Sequence, residues 1–141
     1  MSEFQREAPS GAARAIVAAH GDLAQGLVNA VAVITGEGAV FHALTNAGLD
    51  RDSLESRLRE VVQNSGARVV FTDLQGGSWT LAARRLQRTM PELVVVTGTS
   101  LPVLLDFVYC DADPAAAARQ AVERGRSSLT SVSGPPAAAG A

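Results

Sequence analysis

Four apolar runs of strand length alternate with longer stretches whose apolar residues recur every three or four positions, and this alternation restricts the fold more than any other feature. The runs are Ala15–Ala19 (AIVAA), Val40–Leu44 (VFHAL), Val69–Thr72 (VVFT) and Leu93–Val96 (LVVV). Leu23, Leu27, Val31 and Ile34 predict a helix ended by Gly36. Asp52 and Glu55 form a capping-box pattern ahead of Leu54, Leu58, Val61 and Val62. Gly76-Gly77-Ser78 opens a third helix with Leu81, Leu86 and Met90 inside, and Pro91 follows its end.

Repeated strand–helix units place parallel strands between two helical layers, so each strand must be apolar on both faces. With 47% hydrophobic but only 4% aromatic residues, the chain supplies such an interior from Val, Leu, Ile and Ala, with Phe41, Phe71 and Phe107 as packing residues. The predicted fold is α/β: a doubly wound, mostly parallel sheet of order 2-1-3-4, with helices on both faces. After Gly98, Leu101–Val108 reads as a short apolar helix. Asp113-Pro114 then caps an Ala-rich helix that Gly125 is expected to stop. Ser127–Ser133 (SSLTSVS) alternates weakly and is expected to add as a C-terminal antiparallel edge strand, to its own sheet or to that of a second subunit. Residues 1–12 and 134–141 read as flexible tails around a folded unit over 13–133.

The net charge of -2, with no basic run interleaved with aromatics, gives no footprint for nucleic acid. The single cysteine, Cys110, is read as a buried apolar residue in a reducing compartment, and no Cys/His cluster offers a metal site. No apolar stretch reaches the roughly 18 residues of a membrane span, and the N-terminus has acids where a signal peptide has a basic then apolar run. A cytoplasmic location is expected.

In sheets of this order, sites form beyond the carboxyl ends of the strands where the order reverses, here between the first and third. His20-Gly21-Asp22 follows the first strand and Asp73-Leu74-Gln75-Gly76-Gly77-Ser78 follows the third, so the two loops are expected to face one another. A neutral imidazole is a nucleophile at physiological pH, and a carboxylate on one ring nitrogen leaves the other free to attack. Asp73 can supply that carboxylate. A phosphoryl group carried on the ring needs donors that do not hydrolyse it, and the helix opened by Gly76, Gly77 and Ser78 offers backbone N–H groups and a favourable dipole without metal or cofactor. Each piece has a bland counterpart: a polar loop histidine, a capping aspartate, a tight turn. Their coincidence at the switch point carries the reading. His42 is taken as a partly exposed strand residue. Trp79 is read either as surface packing or as a wall of the site or partner contact, and Arg84, Arg85 and Arg88 as a solvated face or a surface that steers an acidic partner.

The segments AHGDLAQGLVNAVAVITGEG, DLQGGSWTLAARR and TSLPVLLDFV, in that order over roughly residues 14–130, resemble the mannose-family IIA component of the bacterial phosphoenolpyruvate-dependent sugar phosphotransferase system. The resemblance implies a phosphotransferase without cofactor, active in sugar transport. His20 would take a phosphoryl group from phospho-HPr and pass it to a IIB component, Asp73 would be its hydrogen-bond partner, and the protein would reach the membrane only through the transporter complex. It also implies a homodimer that exchanges its C-terminal strand. Trp79 stands where the family often has proline. The alternatives are a regulatory phosphoprotein of the same fold, a receiver-like domain phosphorylated on Asp73, and a metal-dependent hydrolase using His20, Asp22, Asp73 and His42. The receiver needs acidic residues after the first strand to hold magnesium, where this chain has Ala18-Ala19-His20.

Overall fold

A computed structural model describes residues 13–137. Its elements run β1 (Ala15–Ala19), α1 (Leu23–Thr35), a 3-10 turn (Gly38–Val40), β2 (Phe41–Thr45), α2 (Arg51–Ser65), β3 (Val69–Thr72), α3 (Ser78–Leu86), β4 (Val94–Val96), α4 (Leu101–Val108) and α5 (Pro114–Ser127). The four strands form one parallel sheet in the order β2-β1-β3-β4. Ala15 pairs with Phe41 on one side and Val69 on the other. Every residue of β1 and β3 is buried, as central strands covered on both faces require.

Alternation along the strands sends Val17, Phe71 and Val96 to one face, under α1, α4 and α5, and Ile16, Ala18 and Val70 to the other, under α2 and α3. On the first face Phe41, Phe71 and Phe107 meet with centroids 5.2–6.0 Å apart, and the Arg14 guanidinium lies 4.7 Å over the Phe107 ring. Each aromatic pair adds about 0.5–1.5 kcal/mol beyond its buried area, so three rings stiffen a core otherwise made of small aliphatics. Cys110 is buried beside them.

Several local expectations are corrected. α1 turns Ala24, Val28 and Val31 inward, while Leu23 and Ile34 are exposed. α2 is capped by Asp50, whose Oδ1 accepts the Ser53 N–H at 2.9 Å, and not by an Asp52/Glu55 box; such a cap stabilises a helix by about 1 kcal/mol. In α3 Leu86 is buried as expected, but Leu81 is exposed. Trp79 is neither a surface residue nor a wall of the site: it is wholly buried against α2 in the second core cluster. Its side chain fills the volume between the two helices.

Gly125 does not stop α5, which continues to Ser127. A Cβ there would lie 2.1 Å from Val103 Cγ2, so glycine is needed to let α5 lie close against α4. The expected C-terminal antiparallel strand is absent from the sheet: residues 129–137 have no regular structure, and Leu129 and Val132 are about nine-tenths exposed. α5 takes up the start of that segment, and no edge within the single chain pairs with the rest. Of the expected tails, residues 1–12 and 138–141 lie outside the described residues.

Candidate functional site

β1 and β3 end side by side, and each hands the chain to a loop that turns over the carboxyl edge of the sheet. Gly21 makes the first turn with φ +58, a left-handed conformation that glycine adopts freely. Its N–H donates to Asn46 Oδ1 at 3.1 Å, which ties the loop after β1 to the loop after β2. The second loop is braced from below. Thr80 in α3 donates to the Leu74 carbonyl and shares a 2.6 Å hydrogen bond with Thr72 at the end of β3.

These supports bring His20 and Asp73 together across 53 residues of sequence. Asp73 Oδ2 accepts the His20 backbone N–H at 3.0 Å and lies 2.8 Å from His20 Nδ1. The carboxylate side chain is only 9% exposed, whereas the imidazole is 42% exposed. Burial pushes the Asp73 carboxyl up. The backbone and ring hydrogen bonds from His20, with the attraction of the ring's charge, outweigh it and hold the carboxyl below its ordinary value of 3.8. An ionised carboxylate can only accept, so Nδ1 bears a proton, and whenever the ring is neutral the lone pair lies on Nε2.

The third part is the start of α3. Gly77 is its N-cap residue and Ser78 its first helical residue. The Gly77 N–H closes the turn onto the Leu74 carbonyl at 3.1 Å, and the next N–H groups of the first turn have no acceptor within the helix. A Cβ on Gly77 would press on Leu74 Cβ at 3.1 Å and stand in ordinary contact, 3.5 Å, with His20 Cε1, so the tight turn over Leu74 is what favours glycine here. No side-chain cap bond forms at the start of the helix, and Ser78 is exposed. Gly76 is exposed on the outer side of the same turn.

His20, Asp73 and Gly77 are thus brought together, with Gly76 and Ser78 beside them. His42 is not. It pairs with Ile16 three residues before the end of β2, about 10 Å back along the strand. Among the described residues no group of three or more His, Cys, Asp or Glu side chains converges to hold a metal. Asn46 and Thr80 were not anticipated from sequence. An asparagine after a strand reads as an ordinary turn former, and the eight residues between Thr72 and Thr80 carry no local signal that the two hydroxyls meet.

In the sequence comparison, residues 14–122 match the EIIA-man family, described as PTS system fructose IIA component. The chain belongs to the EIIA-man family. Its members are components of the sugar phosphotransferase system, and the matched stretch contains both loops of the site. The fold agrees with solved IIA proteins. The mannose/sorbose-specific IIA subunit from Enterococcus faecalis superposes with a TM-score of 0.75 at 23% identity, covering 89% of this chain and 98% of that one. The component EIIA from Streptococcus agalactiae gives 0.72 at 17% identity, over 84% and 95% of the two chains. The IIA protein associated with a fucose utilization operon in Streptococcus pneumoniae gives 0.68 at 22%, over 83% and 90%. No curated protein matches the sequence significantly. No helix among the described residues is long and apolar enough to cross a membrane.

Proposed function

We propose that this EIIA-man chain is a phosphocarrier that accepts a phosphoryl group on His20 Nε2 from phospho-HPr and donates it to a IIB component during sugar uptake. The observation that carries the reading is the double bond of Asp73 Oδ2 to His20: one oxygen holds both the backbone N–H and the Nδ1–H, fixing the ring and its tautomer. The Nε2 lone pair forms the new N–P bond as the donor's N–P bond breaks and its electron pair returns to the donor ring. The His20 ring then gains positive charge, which the adjacent buried carboxylate stabilises. The phosphoryl oxygens find donors in the open N–H groups of α3 beyond Gly77, with Gly76 and Ser78 at the rim. Transfer to IIB runs the same step in reverse and needs no cofactor or metal.

Phosphorylation on Asp73 itself is disfavoured by the same geometry, because its carboxylate is buried and committed to His20. The partners place the carrier in the cytoplasm, at the membrane only through the transporter. Its C-terminal segment, exposed and apolar at Leu129 and Val132 beside sheet edges that remain open, fits a homodimer in which that segment pairs with the partner's sheet. The carrier reading is tested with phosphoenolpyruvate, enzyme I and HPr, followed by mass spectrometry under alkaline conditions. One acid-labile phosphate on His20, drained by added IIB, is expected. Phosphate persisting in His20→Ala overturns the assignment.

A further inference from the structure

Beside the glycine turn a groove of about 450 Å³ runs between the starts of α2 and α3, and its lining includes Gly77, Ser78, Leu81, Arg51, Arg84 and Arg85. No acidic residue lines it. All 12 basic residues of the chain are arginine, and four of those elsewhere on the helices have found carboxylates, Arg57 with Glu60, Arg59 with Glu55, Arg124 with Asp106 and Arg126 with Glu123, while Arg119 on α5 has no carboxylate partner among the described residues. The three at the groove have none either. Arg84 bonds only the neutral Gln87, and neither Arg51 nor Arg85 has a carboxylate partner among the described residues. Arg51 is also the first residue of α2, where the helix dipole disfavours a cation, so its position gives the helix no stability. Leu81, 44% exposed, supplies an apolar wall between the charges.

We infer that this groove docks an acidic segment of the protein that exchanges the phosphoryl group with His20. The inference rests on the carrier reading and names the chemistry of its partner. Three guanidinium groups around an apolar wall, in a protein whose net charge is -2, form a local field opposite in sign to the whole. Guanidinium groups bind carboxylates in bidentate geometry, and a complementary field steers encounter as well as fixing register. The groove shares Gly77 and Ser78 with the phosphoryl site, so a segment seated there sets its parent protein directly over His20 Nε2.

Two measurements on the full chain test this. First, a Glu-rich hexapeptide is titrated into isotope-labelled protein at low salt. Amide shifts are expected at Arg51, Ser78, Leu81 and Arg85, and are expected to vanish in the Arg84→Glu/Arg85→Glu variant. Shifts mapping elsewhere, or reproduced equally by inorganic phosphate at matched ionic strength, overturn the proposal. Second, the same double variant and Arg51→Glu are compared with wild type in phosphoryl exchange with HPr and with IIB. The second-order rate with one of the two proteins should fall about tenfold and lose most of its salt dependence, while the final extent of His20 phosphorylation stays unchanged. Both rates unchanged, with the peptide bound, reduce the groove to a non-specific basic surface. Peptide bound at the groove with no phosphate ever appearing on His20 leaves the acidic-segment site standing and overturns the carrier reading alone.

Discussion

The loops at the switch point and the segment after α5 are opposites in how they are held. At the switch point, polar residues are fixed by contacts of long sequence range: His20 to Asp73, Gly21 to Asn46, and the loop after β3 braced by Thr80. After Ser127, two apolar side chains, Leu129 and Val132, stand in solvent with nothing packed on them. In the first region these polar groups find their partners within one chain, although the second Asp73 oxygen, Oδ1, is buried with no hydrogen-bond partner among the described residues. In the second, apolar surface lacks a partner that the single chain does not supply. On the proposed carrier reading, the residues that do the chemistry are complete within one chain, which separates the chemistry from assembly.

The strongest way to break that contrast is Asp73→Asn. An amide presents an oxygen or an N–H to Nδ1 and loses the charge that supports the ring in transfer, so phosphoryl exchange should slow by about 100-fold in a protein that folds normally. Stopped-flow transfer from phospho-HPr reads the rate and circular dichroism the fold. A wild-type rate would reduce Asp73 to a loop former and remove the basis for calling the site complete. Next in size is removal of residues 129–141. The sedimentation mass should fall by half while the rate of His20 phosphorylation per chain changes little. An unchanged mass with unchanged thermal stability shows a plain tail, and a large loss of rate shows that the site borrows from assembly.

The smallest effect is in the titration of Asp73. Its carboxyl is held below 3.8 by bonds from His20 acting against burial, so the stability it contributes is complete above that value and is lost as pH falls through the lower folded-state value. In His20→Ala the ring bond disappears and burial remains, so the Asp73 titration, followed by carboxyl-carbon NMR, should move upward. A titration that stays in place would show that the backbone N–H alone sets it.

The strands were legible because both faces of β1 and β3 are buried, which forces continuous apolar runs such as AIVAA and VVFT. Sheet order followed from the doubly wound strand–helix pattern, and the switch-point rule applied to it gave the meeting of His20 and Asp73. What was not legible depended on distance of approach. The burial of Ala24 rather than Leu23, the need for glycine at position 125 beside Val103, and the packing of Trp79 with α2 have no local signature. Asn46 and Thr80 support the site through atoms that only the folded sheet brings near. The absent C-terminal strand is of another kind: alternation can indicate a strand, but a strand exists only where a second edge receives it.

The pairing of His20 with Asp73 also links cargo to conformational integrity. The nucleophile and the group that orients it belong to strands joined only through tertiary structure, so an unfolded chain carries the histidine but not the carrier site. On the proposed carrier reading, phosphoryl loading then samples only the native population. A lesion far from the site, such as a bulky side chain forced in at Gly125, would throttle flux by depleting chargeable molecules while each surviving molecule turns over at the normal rate.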